Sequence, residues 1–220
     1  MNPDFFPWTT AVGPIILSVL AVIALVSSDM RQWRTGRYLF KPLAATAFLW
    51  LALSLGCLDS DYGRILFVGL MLCAAGDILL MFEPEGAFLA GLVAFLSGHL
   101  GYAFAFSQLP PDYSGLWWSI PPALALVIGT NLWLRSHLEG PMKIAVPGYI
   151  LVITLMLLFA GMTVNQPGAA LIIAGAWGFA FSDLAVARRQ FINPTPLNGL
   201  WGTPLYFWSQ LLIAASVAYQ

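Results

Sequence analysis

The chain has 220 residues, of which 60% are hydrophobic and only 9% charged. A water-soluble domain carries about 25% charged residues, so this composition excludes an ordinary soluble enzyme and predicts an all-α, polytopic membrane protein forming one transmembrane domain over residues 1–220. With 9 Lys and Arg against 10 Asp and Glu the net charge is −1, and the lack of a basic stripe argues against nucleic acid as a partner.

Apolar runs separated by Pro, Gly and charged residues predict eight membrane spans, each close to the roughly 20 residues that cross a bilayer. No basic residue precedes the first run, 11–28, so it is expected to be a retained helix rather than a secretory signal. The loop 28–41 carries Arg31, Arg34, Arg37 and Lys41 and leads into the second span, 40–56. Lys41 stands directly before Pro42 at the rim of that span, where it is expected to snorkel to the interface or meet an anionic head group. The third span, 63–82, contains Gly76-Asp77 within an otherwise apolar run. A carboxyl in hydrocarbon is expensive and marks function by default. A tight turn, Glu83-Pro84-Glu85-Gly86, leads to the fourth span, 86–107, which holds Gly98-His99-Leu100-Gly101-Tyr102.

Pro110-Pro111-Asp112 precedes the fifth span, 115–134, with Asn131 near its end. Gly140-Pro141 precedes the sixth, 143–163, and Gln166-Pro167-Gly168 opens the seventh, 167–187, which carries Phe181-Ser182-Asp183. The eighth, 199–219, contains Tyr206-Phe207-Trp208-Ser209-Gln210. Cys57 and Cys73 fall at different depths, which argues against a disulfide.

Basic residues in short loops set orientation. Arg31, Arg34, Arg37, Lys41, Arg135, Lys143, Arg188 and Arg189 fall on one side of an eight-span bundle, and only Arg64 on the other. Both termini are therefore expected on the non-cytoplasmic side. An internal echo is also present: Gly76-Asp77 recurs as Ser182-Asp183, and Lys41-Pro42 as Val146-Pro147, at nearly the same offset. It suggests two parallel halves of four helices each.

Asp77 and Asp183 lie at similar counted depth, roughly 6–8 Å inside the cytoplasmic boundary. Small residues around both (Gly69, Ala74, Ala75; Gly175, Ala176, Gly178) let their helices approach closely. If the two carboxyls meet they share a proton, supplying a general acid and a general base without metal or cofactor. The alternative is two unrelated helix-end aspartates, each hydrated or capping a neighbour. His99 is counted deeper, about 20 Å from the cytoplasmic end, and is either a hydrogen-bonded structural residue or a group that orients the acids. Tyr206 matches the aspartates in depth, and Gln210 lies one turn further on the same face. With two histidines, no HExxH and no paired cysteines, no metal site is expected. A GxSxG elbow and phosphate-cradling loops are equally missing.

Lys41-Pro42, Gly76-Asp77, the run from Gly91 to Tyr102, Phe181-Ser182-Asp183 and the run from Tyr206 to Ala214 together resemble the YhhN family of integral membrane proteins. That resemblance implies a lysoplasmalogenase, which hydrolyses the vinyl ether bond of a lysophospholipid substrate to a fatty aldehyde and a glycerophospho-ethanolamine or -choline. Asp77 and Asp183 would then be catalytic. Lys41, His99, Tyr102, Asn131, Ser182, Tyr206 and Gln210 would bind substrate or orient the acids. No cofactor is expected. The protein's surroundings would be membrane lipids, in the bacterial inner (plasma) membrane, with the site toward the cytoplasm. Two other readings remain open. A proton-coupled transporter or lipid-binding protein also uses intramembrane carboxylates. An intramembrane aspartyl protease uses two helix-borne aspartates, although its GxGD motif is here Ala74-Ala75-Gly76-Asp77.

Overall fold

The computed structural model describes residues 6–82 and 84–220. Residues 1–5, and Glu83 in the predicted tight turn, lie outside the described residues. Eight helices follow one another among those described: α1 (Trp8–Met30), α2 (Arg34–Ser54), α3 (Asp61–Leu79), α4 (Glu85–Phe106), α5 (Tyr113–Leu134), α6 (Met142–Gly161), α7 (Ala169–Phe191) and α8 (Leu197–Ala215), closed by a 3₁₀ turn, Ser216–Tyr219. Five of them (α1, α3, α4, α6 and α7) are long and apolar enough to cross a membrane. The other three match them in length at 19–22 residues but carry more polar side chains, such as Arg34, Arg37 and Lys41 on α2. Trp117, Trp118, Ile144 and Leu151 stand more than 60% exposed on the outside of the bundle, a surface suited to lipid rather than water. The protein is a helical membrane bundle.

Each helix packs against its chain neighbour as a hairpin (α1 with α2, α3 with α4, α5 with α6, α7 with α8), and α2 with α3, α6 with α7, α4 with α6 and α2 with α8 complete most of the lattice. Advancing every helix by four reproduces these pairs, but α1 also packs on α8 with no comparable contact of α5 on α4, so the 4+4 echo has only a partial counterpart in the packing. The echoed glycines show how. A Cβ on Gly69 would lie 2.7 Å from the Tyr102 ring and 3.2 Å from the Gly98 carbonyl oxygen. One on Gly175 would lie 2.6 Å from Ile213 and 3.0 Å from the Ser209 carbonyl oxygen. Each glycine therefore brings an aspartate-bearing helix, α3 or α7, into backbone contact with the next. On the facing helices Tyr102 Oη donates to Gln210 Oε1 at 2.5 Å, tying α4 to α8 in the buried centre.

Helix ends differ from expectation where charge, not hydropathy, decides them. α7 was expected to stop near residue 187 but continues to Phe191, with Arg188 and Arg189 in its last turn, where cations favour the negative end of the helix dipole. Asp183 consequently sits eight residues before its helix end, whereas Asp77 sits only two before the end of α3.

Candidate active site

The eight helices enclose a cavity of about 570 Å³ into which both Asp77 and Asp183 face. Its deeper walls are apolar (Leu92, Phe95, Ile150 and Ile153 among them), while Asp29, Arg37, Arg189 and Asn198 line the end marked by the termini of α1, α7 and α8. The cavity is amphiphilic along its length.

Asp77 is 2% exposed, and both of its oxygens are taken. Lys41 Nζ lies 3.3 Å from Oδ1, and Tyr206 Oη donates to Oδ2 at 2.7 Å. Lys41 therefore does not snorkel: its position on the second turn of α2 points it inward, where the buried carboxylate holds it. An ammonium and a phenol thus bracket the Asp77 carboxyl, one on each oxygen.

Asp183 has a different company. Its side chain is 16% exposed, and both contacts fall on Oδ2. Tyr149 Oη donates to that oxygen at 2.9 Å, and His99 Nε2 approaches it at 3.5 Å. Among the described residues no cation other than the imidazole pairs with it. His99 Nδ1 lies 2.7 Å from the Phe95 carbonyl oxygen. That oxygen only accepts, so Nδ1 carries the hydrogen and a neutral ring presents a lone pair at Nε2. Nε2 is fully buried without a hydrogen-bond partner, facing a carboxyl oxygen. The imidazole nitrogen and the carboxyl oxygen thus face each other at 3.5 Å, within reach of a proton passed between them. His99 was expected to lie deeper than the aspartates; the packing of the bundle instead brings it within 3.5 Å of Asp183.

No hydrogen bond joins the two carboxyls among the described residues. They face the same cavity, but each is held by its own partners. An aromatic cluster connects the two stations: the Phe179 ring lies 4.2 Å from His99 and 5.2 Å from Tyr206, and Phe95 packs 5.8 Å from Tyr206.

Other expected residues stand further back. Tyr102 and Gln210 bond to each other rather than to either acid, and Gln210 Nε2 is buried without a hydrogen-bond partner. Ser182 lines the cavity, but its hydroxyl donates to the Phe179 carbonyl oxygen at 2.7 Å. Asn131 does not line it; its amide donates to the Val127 carbonyl oxygen at 2.8 Å along its own helix. Polar cavity residues that escaped the sequence reading as site residues include Tyr149, Arg37, Asp29, Arg189 and Asn198. The repeat did not point to Tyr149, since it sets Val146 opposite Lys41 and Tyr149 opposite Ala44. Asp29 and Arg37 looked like ordinary loop charges, yet Arg37 Nε donates to Asp29 Oδ1 at 2.7 Å. Among the described residues no group of three His, Cys, Asp or Glu side chains gathers into a metal-ligating set.

The arrangement offers two carboxyls with different partners in one cavity and an apolar channel leading away from both. Comparison with known proteins bears on what it serves. The YhhN family model matches residues 36–217. Lysoplasmalogenase TMEM86B of Homo sapiens is 32% identical over 98% of this chain and 88% of its own length. Lysoplasmalogenase TMEM86A of Bos taurus is 31% identical over 69% of this chain and 64% of its own, and TMEM86B of Sus scrofa is 34% identical over 68% and 62%. No solved structure matches the chain significantly. The family match spans most of the chain and includes every residue that contacts the two aspartates, and the chain belongs to the YhhN family.

Proposed function

We propose that the protein is a lysoplasmalogenase-like hydrolase that cleaves the vinyl ether bond of an alkenyl lysophospholipid, with Asp183 as proton donor and Asp77 as the fixed anion. The observation that carries this reading is the contrast between the two carboxyls in one amphiphilic cavity: Asp77 has a cation and a donor on its two oxygens, whereas Asp183 has both its contacts, Tyr149 and His99, on Oδ2 and no partner among the described residues on Oδ1. The relatives named as lysoplasmalogenases support the substrate class.

In this mechanism the alkyl tail lies along the apolar wall and the double bond reaches the aspartates. Asp183 delivers its proton to the alkenyl carbon distal to the ether oxygen, leaving an oxocarbenium ion on the proximal carbon. The Asp77 carboxylate and the faces of Phe95 and Tyr206 stabilise that cation. Water adds to it and gives its proton to Asp77, forming a hemiacetal. The hemiacetal hydroxyl then returns a proton to Asp183 while Asp77 protonates the departing glycerol oxygen. Aldehyde and glycerophospho-alcohol are released, both acids are restored, and one water is consumed. The charged end of the cavity faces the cytoplasm in this reading, following the basic residues gathered there, in the inner membrane of a bacterium.

The test is aldehyde release from an alkenyl lysophospholipid by the purified protein in heavy water, with the aldehyde trapped as it forms. One deuterium on the carbon next to the aldehyde is expected. Pure protein that releases no aldehyde, but moves solute with a pH gradient in vesicles, would replace the enzyme by a transporter.

A further inference from the structure

The cavity holds three cations (Arg37, Lys41 and Arg189) and three carboxyls (Asp29, Asp77 and Asp183). Two cations are already matched: Lys41 with Asp77 at 3.3 Å and Arg37 with Asp29 at 2.7 Å. Arg189 has no carboxylate partner among the described residues, so its guanidinium is the cavity cation that an anionic ligand can take. Its neighbour Arg188 bonds instead to Asn198 Oδ1 at 3.3 Å and does not line the cavity. The Asp29 pairing occupies only Nε of Arg37, leaving the Nη groups of its fork for a second acceptor. Guanidinium groups suit a phosphate through two parallel bonds.

The spacing fits as well. Arg37 and Lys41 are four residues apart on one face of α2, about 6 Å along the axis. The five bonds from the vinyl ether oxygen across a glycerol to phosphorus also span roughly 6 Å when extended. Arg189 is six residues past Asp183, roughly 9 Å along α7 toward the charged end, and lines the same cavity. We propose that Arg37 and Arg189, at the charged end of the cavity, form the subsite for the phosphodiester of the bound amphiphile, with Asp29 as the positioning residue for Arg37. Lys41 is thereby left to Asp77 rather than to the head group. The assignment rests on the lipid substrate class given above, but not on the chemistry of the two acids.

A binding measurement separates the two. The probes are a saturated 1-O-alkyl lysophospholipid, which has no double bond to protonate, and the matching 1-O-alkyl glycerol, which has no phosphate. Binding is read from tryptophan fluorescence of the full chain in detergent. Arg189→Gln, an exposed position, is expected to weaken the lysophospholipid about tenfold and leave the alkyl glycerol unchanged. Arg37→Lys keeps the charge beside Asp29 but loses the fork, and is expected to act in the same direction. An excess of inorganic phosphate should not displace the lysophospholipid, since the tail anchors it; full displacement would assign the subsite to free phosphate and overturn the proposal. Equal weakening of both probes, or of neither, would also overturn it. Phosphate-selective weakening in a protein that never releases aldehyde would uphold the subsite and sink the hydrolase reading instead.

Discussion

Tyr149→Phe removes one oxygen from the wall of the cavity and nothing else, because the ring that packs edge-on against His99 at 5.4 Å remains. The lost hydroxyl donates to Asp183 Oδ2 at 2.9 Å. Before proton transfer that bond joins a phenol to a neutral carboxyl and is worth about 0.5–1.5 kcal/mol; once Asp183 has given up its proton it becomes charge-assisted, about 1.5–3 kcal/mol. The increment of roughly 1–1.5 kcal/mol is gained only on the way to the oxocarbenium ion, so it falls on the barrier. At about 1.4 kcal/mol per decade, kcat should drop about 5- to 12-fold with KM unchanged. Initial rates of aldehyde release at saturating and limiting alkenyl lysophospholipid measure both constants. An unchanged kcat, or a rise confined to KM, would refute the assignment of the proton to Asp183.

Three further outcomes follow from the packing. Lys41→Met leaves the Asp77 carboxylate, 2% exposed, without its cation; a loss of about 3–5 kcal/mol is expected, read as a lower melting midpoint in detergent, and Lys41→Met with Asp77→Asn should recover most of it. Gly175→Leu would drive a side chain into Ile213 and the Ser209 carbonyl oxygen, at 2.6 and 3.0 Å from its Cβ; destabilisation of about 1–3 kcal/mol or more by the same melting assay is expected. Asn131→Ala removes an amide that bonds only its own helix backbone, so stability should move by no more than about 0.5 kcal/mol and aldehyde release should stay at the parent rate.

Much of this molecule was legible because the bilayer restricts what a chain can do. Only an internally hydrogen-bonded helix or a closed barrel satisfies its backbone in hydrocarbon, so long apolar runs with Pro and Gly breaks predict the eight helices with ends shifted by a few residues. Asp77 and Asp183 stood out for the same reason. The contacts between helices were less accessible. Lys41 reads as an interfacial cation until α3 is seen beside it, and His99 looks too deep until α7 is seen packed with Asp183 at its ring. Straight counting along each span assumes a common membrane plane, and helices that extend past that plane break the assumption. Tyr149 had no motif of its own, and the repeat sets it opposite Ala44 rather than Lys41. Asp29 and Arg37 are eight residues apart across a helix turn, and nothing in their local sequence says that the turn folds them over a cavity.

The account depends on Asp183 giving its proton to carbon. Single-turnover aldehyde release by Asp183→Asn, in protein whose melting midpoint matches the parent, tests this most directly, since the amide keeps the shape and has no acidic proton to give. A loss of about 10²- to 10⁴-fold is predicted, the usual contribution of a positioned general acid. Release within a few-fold of the parent would contradict it.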